Sequence, residues 1–408
     1  MSASERDQLR QRLFPQTIAA FTGVCSLGRG RRQIAEAIFA GACGLEPNRF
    51  GDTAADIAAY VGRVAGIEDE PLPAALSPWD CRNHRLTWLA LAQDDFREQV
   101  AAAVARYGAN RIGVFVGTST SGILDTETLF RDGRADQLTS ERFGKRHDLG
   151  SVSEFIAAAL GLEGPRLCVS AACASSAKVF AVAARFIAAG LADAAVVGGA
   201  DSLCYSTLYG FKSLELLSPA PARPFARERA GISIGEGAAF ALLVRDGDGA
   251  SALLGAGESS DGYHMSSPHP EGLGAERAVA DALASAGLTA ADIDYVNLHG
   301  TGTEANDAVE ATMIARTFGG GVPCSSTKGA SGHCLGAAGA IEALICDLAL
   351  EHQVAPGNVG TAATDVAFPI DLVVSARPRR IERVLSNSFG FGGSNCSLIF
   401  GRTASSPQ

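Results

Sequence analysis

The chain has 408 residues, 47% hydrophobic and 19% charged, the balance of a globular protein with a large buried core. A formal charge of −10 and the absence of a Lys/Arg-dense segment exclude nucleic acid as the main partner, and no apolar run approaches a membrane span. Ten cysteines with no CxxC and no paired metal spacing read as reduced core thiols, so neither a disulfide framework nor a metal site is expected.

Residues 1–15 are polar and charged with no apolar signal core, which predicts a cytoplasmic protein. Residues 16–25 (QTIAAFTGVC) read as a first strand running into a Gly-rich turn, with a helix over 31–42. Residues 44–80 read as irregular, with Pro71, Pro73 and Pro78 marking loops. One long amphipathic helix is expected over 86–106, then a buried strand over 111–117 (RIGVFVG). Residues 118–150, richer in charge and turn formers, read as an inserted cap. A short buried strand at 166–170 leads into an apolar helix over 174–189, and 194–200 (AAVVGGA) is another buried strand.

Further strands are expected at 238–244 and 252–258, separated from the preceding one by a basic, proline-broken loop at 218–231. From 275 the pattern restarts: helix, strand 293–298, helix, short strand 322–325, long apolar helix 335–351, then strands near 372–375, 384–388 and 396–400. Both halves run a strand into a small-residue turn and a long apolar helix, CVSAACASSAKVF in one and CSSTKGASGHCLGAAGAIEAL in the other. The alternation predicts an α/β architecture with covered sheets and suggests, without proving, an internal duplication.

Cys173 is predicted at a strand-to-helix elbow among Ala171, Ala172, Ala174 and Ser175. There the positive end of the helix dipole is expected to favour the thiolate, and elbow amides can face a developing oxyanion. Taken alone, such a cysteine is as readily a small core residue. His299 opens HGTGTEAND just past a strand, and His333 lies in STKGASGHCLGAAG, five residues after Lys328. Glycine beside a reactive side chain leaves room for substrate. His84, His147, His264, His269 and His352 lack that setting and read as surface or loop residues. SNSFGFGGSN at 386–395 places Phe389 and Phe391 where they could close over an apolar substrate, or simply fill a hairpin core.

ACASS at Cys173, HGTGT at His299, the Lys328-to-His333 segment and NSFGFGG occur in one order, and that order resembles the β-ketoacyl-[acyl-carrier-protein] synthases of the elongating, Cys-His-His kind. The resemblance spans about residues 17–401. It implies a thiolase-like fold, two similar halves in a five-layered αβαβα arrangement, with the halves at 1–250 and 251–408. The implied chemistry is a decarboxylative Claisen condensation of an acyl thioester with malonyl-[acyl-carrier-protein]. On the same resemblance, Cys173 carries the acyl chain and His299 and His333 stabilise the malonyl enolate. Lys328 supports them, with Glu310 nearby and the two charges holding each other. The amides of Cys173 and Phe391 form the oxyanion hole, Thr301 and Thr303 bind the phosphopantetheine arm, and Phe389 and Phe391 line and gate the site. No cofactor is implied beyond the carrier-borne phosphopantetheine.

The implied partner is an acyl carrier protein, which is acidic, so docking on this acidic chain needs a local basic patch. Arg82 and Arg85, then Arg142, Lys145 and Arg146, are the candidates, each equally readable as an ordinary solvated charge. A homodimer is implied, with a heterodimer of an active ketosynthase and a chain-length-setting sister as the alternative. The inactive-sister reading fails because Cys173, His299, Lys328 and His333 are all present. A cysteine hydrolase built on Cys173 and one histidine leaves the second histidine, Lys328 and the phenylalanines unexplained.

Overall fold

The computed structural model describes residues 13–361 and 368–403; the N-terminal segment read for a signal core lies almost wholly outside them. Ten strands build the frame. The first half supplies β1 (Gln16–Cys25), β2 (Ile112–Gly117), β3 (Arg166–Val169), β4 (Ala194–Asp201) and β5 (Gly237–Val244). The second supplies β6 (Ser251–Ser260), β7 (Tyr295–Asn297), β8 (Pro323–Ser325), β9 (Arg383–Gly390) and β10 (Ser394–Arg402).

The spatial order is β1-β5-β4-β2-β3 in the first half and β6-β10-β9-β7-β8 in the second, the same permutation twice. Pairing directions repeat as well: two antiparallel contacts, then two parallel ones. The halves join edge to edge where Gln16–Ile18 of β1 pairs with Ser251–Leu253 of β6. The duplication that residue identity only suggested is written in the topology.

Each sheet is covered on both faces. In β5, Ala239, Ala241 and Leu243 enter the central core, while Phe240, Leu242 and Val244 enter an outer one. The central layer holds helices α1 (Ser175–Ala188) and α2 (Ala338–His352), each following the third strand of its half. The outer layers hold Arg82–Leu91, Phe96–Tyr107 and Ser151–Leu160 on one side, and Leu273–Ala286 with Glu304–Phe318 on the other. That is the five-layered, thiolase-like arrangement. Small residues let α1 and α2 touch: a Cβ on Gly339 would lie 2.8 Å from Ala177, and Ser176 Oγ accepts a hydrogen bond from Ala340 N at 2.9 Å.

Several expectations need correction. The single helix over 86–106 is two, because Asp94 and Asp95 take left-handed backbone (φ 58° and 50°). The Asp94 carboxylate is held there by Thr22 Oγ1 at 3.0 Å and Arg31 N at 3.0 Å, tertiary bonds that override helix propensity. The segment over 44–80 is less irregular than expected: Leu45–Pro47 pairs with Tyr60–Gly62, which pairs in turn with Ile234–Gly235 in a small sheet. Strand β3 is not buried but an edge strand, with Arg166 and Leu167 exposed. His84 is not a surface residue. It is fully buried, donates from Nδ1 to Trp79 O at 2.7 Å and stacks on Phe155 with ring centres 4.7 Å apart.

Candidate active site

Cys173 sits two residues before α1, in the elbow that the sequence suggests. Ala172 turns the chain with φ 48°, and Ser175 Oγ clamps the turn by accepting from Ala171 N at 2.8 Å and donating to Ala172 O. Gly390 brings the phenylalanine loop against this elbow; a Cβ there would lie 2.9 Å from Ala171 O and 3.2 Å from Ala174 N. That approach lets the Phe391 backbone amide hydrogen-bond the Cys173 sulfur, alongside the amide of Cys173 itself.

The two histidines arrive from the second half, His299 just past β7 and His333 two residues before the short helical turn Leu335–Ala337 that leads into α2. Cys173 Sγ, His299 and His333 converge so that one ligand atom from each lies within 4.8 Å of the others, a set a thiophilic ion such as Zn²⁺ would also fit. His333 Nε2 is 3.0 Å from Cys173 Sγ, and the two imidazoles meet edge to face with centres 5.5 Å apart. Their tautomers follow from what touches Nδ1. Leu335 N–H donates to His333 Nδ1 at 3.2 Å, and Lys328 Nζ donates to His299 Nδ1 at 3.3 Å. Each Nδ1 is therefore an acceptor and each Nε2 carries the hydrogen.

Burial decides the charges. Both imidazoles are pushed well below the usual histidine range, by desolvation first and then by the Lys328 cation. They are neutral donors at physiological pH. Cys173 corrects the expectation of a resting thiolate: burial lifts its thiol to about 11, against the opposing pull of Lys328 and the Phe391 amide. Loss of water around the sulfur is the largest of these influences.

Lys328 is 2% exposed and does not pair with Glu310 as expected. Its ammonium ion-pairs with Glu342 on α2 and donates to His299 O at 2.5 Å. Glu310 instead accepts from the amides of His299 and Gly300, both at 2.8 Å, and from Asn387 Nδ2 at 3.2 Å. It fixes the backbone that carries His299. Burial raises both Glu310 and Glu342 to about 7. Glu342 is the site residue that sequence reasoning missed. Its signal was there: a carboxylate one turn into a helix whose first nine residues, AGAIEALIC, are otherwise apolar.

A cavity of about 530 Å³ leads to Cys173, lined among others by Thr301, Thr303, Phe389 and Phe391, so the expected arm-binding and gating residues share one space. Thr301 and Thr303 hydroxyls are 2.9 Å apart, and Phe391 packs on Phe211 with centres at 5.6 Å. The basic candidates lie elsewhere. Arg82 is 8% exposed and bound to Glu236 and Glu68, which commits it to the fold. Arg85 is bound to Asp80, Arg142 and Arg146 share Asp125, and Lys145 lies 3.7 Å over the Trp79 ring.

Comparison with known proteins agrees with this geometry. The family model "Beta-ketoacyl synthase, N-terminal domain" matches residues 75–248, and "Beta-ketoacyl synthase, C-terminal domain" matches 250–362. A 3-oxoacyl-[acyl-carrier-protein] synthase 2 of Vibrio cholerae is 33% identical over 90% of this chain and 94% of its own length. Nodulation protein E of Rhizobium meliloti is 34% identical over 78% of this chain and 82% of its own. Among solved structures, a ketosynthase from Xenorhabdus doucetiae in complex with its chain length factor superposes with a TM-score of 0.87 at 40% identity, covering 95% of this chain and 98% of that one.

Proposed function

The chain belongs to the beta-ketoacyl synthase family, and on that premise we propose how its residues divide the work of a β-ketoacyl-[acyl-carrier-protein] synthase. The enzyme is a condensing acyltransferase that joins an acyl thioester to malonyl-[acyl-carrier-protein]. The observation that supports the roles below is the convergence of one thiol and two neutral Nε2–H donors at the junction of the halves.

In the first half-reaction the Cys173 thiol attacks the acyl thioester of the carrier. The carbonyl oxygen becomes an oxyanion facing the amides of Cys173 and Phe391, and the departing pantetheine sulfur takes the proton that Cys173 gives up. Exchange of one thioester for another needs no net proton, and the small thiolate fraction of Cys173 is the attacking species. In the second, the malonyl C–CO₂ bond breaks and its electron pair moves to the thioester oxygen. His299 and His333 hold that enolate by Nε2–H donation, a task for neutral imidazoles rather than bases. The carbanion attacks the acyl-Cys173 carbonyl, and collapse expels the Cys173 thiolate, a good leaving group. The product is a β-ketoacyl chain two carbons longer on the carrier, with CO₂ released.

Thr301 and Thr303 would hydrogen-bond the pantetheine arm, with Phe391 against Phe211 as the gate and Phe389 beside His299. We assign the halves to 1–250, with Cys173 and the cap, and 251–408, with the histidines and the gate. Carrier docking is assigned to the more exposed basic side chains around the cap, Arg85, Arg142, Lys145 and Arg146, with Arg82 behind them. All ten cysteines are free, which supports a reducing compartment, the cytoplasm. A second reading, the active subunit of a heterodimer with a chain-length-setting sister, is favoured by the 40% identical ketosynthase solved with its chain length factor. Exposed Leu167 on edge strand β3 and exposed Phe130 and Phe143 on the cap are where either partner would sit.

The test is turnover with acyl and malonyl carrier proteins. The reading predicts equal release of CO₂ and of a β-ketoacyl carrier two carbons longer. Product only after adding a sister subunit selects the heterodimer, and neither product in any combination overturns the synthase reading.

A further inference from the structure

A second cavity, of about 660 Å³, lies under the cap, away from Cys173. Its wall is amphipathic. Seven arginines line it, against three carboxylates, Glu68, Asp80 and Asp125. Two of those acids are shared, Glu68 between Arg63 and Arg82, and Asp125 between Arg142 and Arg146. Glu236 behind Arg82, Asp132 beside Arg134 and Glu127 on the Tyr205 amide are further anions nearby, so the arginines still outnumber the acids in a chain of net charge −10. Arg49 is exposed and has no carboxylate partner among the described residues, and Arg63 Nε is buried without a hydrogen-bond acceptor. Phe50, Ile67, Leu124, Leu129 and the Tyr205 ring also line it, with the Arg82 guanidinium 5.7 Å from the centre of the Phe50 ring.

We propose that this cavity binds an amphiphilic anion, an aliphatic or aromatic body ending in a carboxylate or phosphate. Arg49 and Arg63, the latter with its Nε unaccepted, both line the space, and planar guanidinium suits either anion by paired hydrogen bonds. The apolar side chains in the lining favour a body over a bare ion. An inorganic anion would leave Phe50, Leu124 and Tyr205 against water.

The ligand has two possible sources. Phe50, Leu124 and Tyr205 belong to the apolar cluster that also contains Ile232 and Leu335 and packs Phe211. Ile232 and Phe211 line the Cys173 cavity, so one cluster touches both spaces. The anion is then either the far end of an acyl chain held on Cys173 and threaded through this cluster, or a free small molecule. The first source rests on the synthase reading; the binding site itself does not.

Calorimetry on the whole protein with octyl phosphate, octanol and inorganic phosphate tests the site, in the wild type and in the double variant Arg49→Ala/Arg63→Gln. Neither arginine holds up the cap, and unchanged circular dichroism and urea midpoint check the fold. Octyl phosphate should bind about tenfold or more tightly than octanol and than inorganic phosphate, and lose about tenfold in the double variant. Equal binding of octyl phosphate and octanol, or affinity unchanged in the variant, overturns the proposal. Repeating the titration on protein acylated at Cys173 with a carboxyl-ended chain identifies the source: binding abolished means the chain end fills the cavity, and binding retained means a free ligand. If Cys173 cannot be acylated, the synthase reading fails while the first titration still decides the site.

Discussion

Glu342→Gln is the substitution that separates the two things the buried ion pair does. Lys328 and Glu342 are 2% and 3% exposed, and Lys328 also donates to His299 at Nδ1 and at the backbone oxygen. Glutamine keeps the shape and removes the charge, leaving a buried ammonium without its counter-ion. Breaking such a pair from one side costs about 3–5 kcal/mol. Losing the firm Lys328 contact frees the His299 ring, and a misplaced donor at an enolate costs about 10²–10³ in rate. Urea denaturation measures the first effect and CO₂ release from malonyl carrier protein the second. The double variant Lys328→Met/Glu342→Leu replaces the pair by apolar groups, so it should regain most of the stability and none of the decarboxylation. A Glu342→Gln protein within about 1 kcal/mol of wild type and fully active would refute the reasoning. An active double variant would refute it equally.

Three further outcomes follow from the same geometry. His84 is buried and neutral with its pKa pushed down to about 4, against about 6.5 in the unfolded chain, so below pH 6.5 the unfolded state binds the extra proton and stability falls as pH falls, levelling off near 4. Between pH 7 and 5 this group alone removes about 2 kcal/mol, and His84→Gln should show a urea midpoint that drops less over that interval; parallel drops would contradict it. Cys173, lifted to about 11, should react with iodoacetamide about tenfold faster per pH unit from 7 to 9, whereas a plateau below pH 8 would mean a resting thiolate. Gly390→Ala should push the gate loop off the elbow, because the new methyl meets Ala171 O at 2.9 Å, and slow acylation of Cys173 by about 10²-fold with the fold intact; undiminished acylation would remove Phe391 N–H from the oxyanion hole.

The reactive residues were legible because each sits in a segment of small residues at a strand end, Ala and Ser around Cys173 and Gly around the histidines, and such patterning is a local signal. What the sequence hid depends on distant partners. The Cys173 charge state was misjudged because a helix dipole can be read from the chain, while the burial that lifts the thiol comes from both halves closing over the sulfur. Glu342 is one of three acids in a largely apolar helix, and its importance appears only when Lys328 is seen opposite. The break at Asp94 comes from Thr22 and Arg31, some seventy residues away in the chain for the first of them. Strand β3 and His84 fail for complementary reasons: apolar patterning does not say which strand lies at an edge, and a histidine on a helix does not say that Phe155 will stack on it. The repeat of strand order is the opposite case, a symmetry plain in the topology and nearly erased from the residues.

The central claim is that Cys173 bears the acyl group while His299 and His333 act only in the malonyl step. Intact mass after acyl carrier protein, and again after malonyl carrier protein, tests it on wild type, Cys173→Ala, His299→Ala and His333→Ala. The account predicts an acyl adduct on all but Cys173→Ala, and a β-ketoacyl product from wild type alone. An adduct surviving in Cys173→Ala, or lost in both histidine variants, would contradict it.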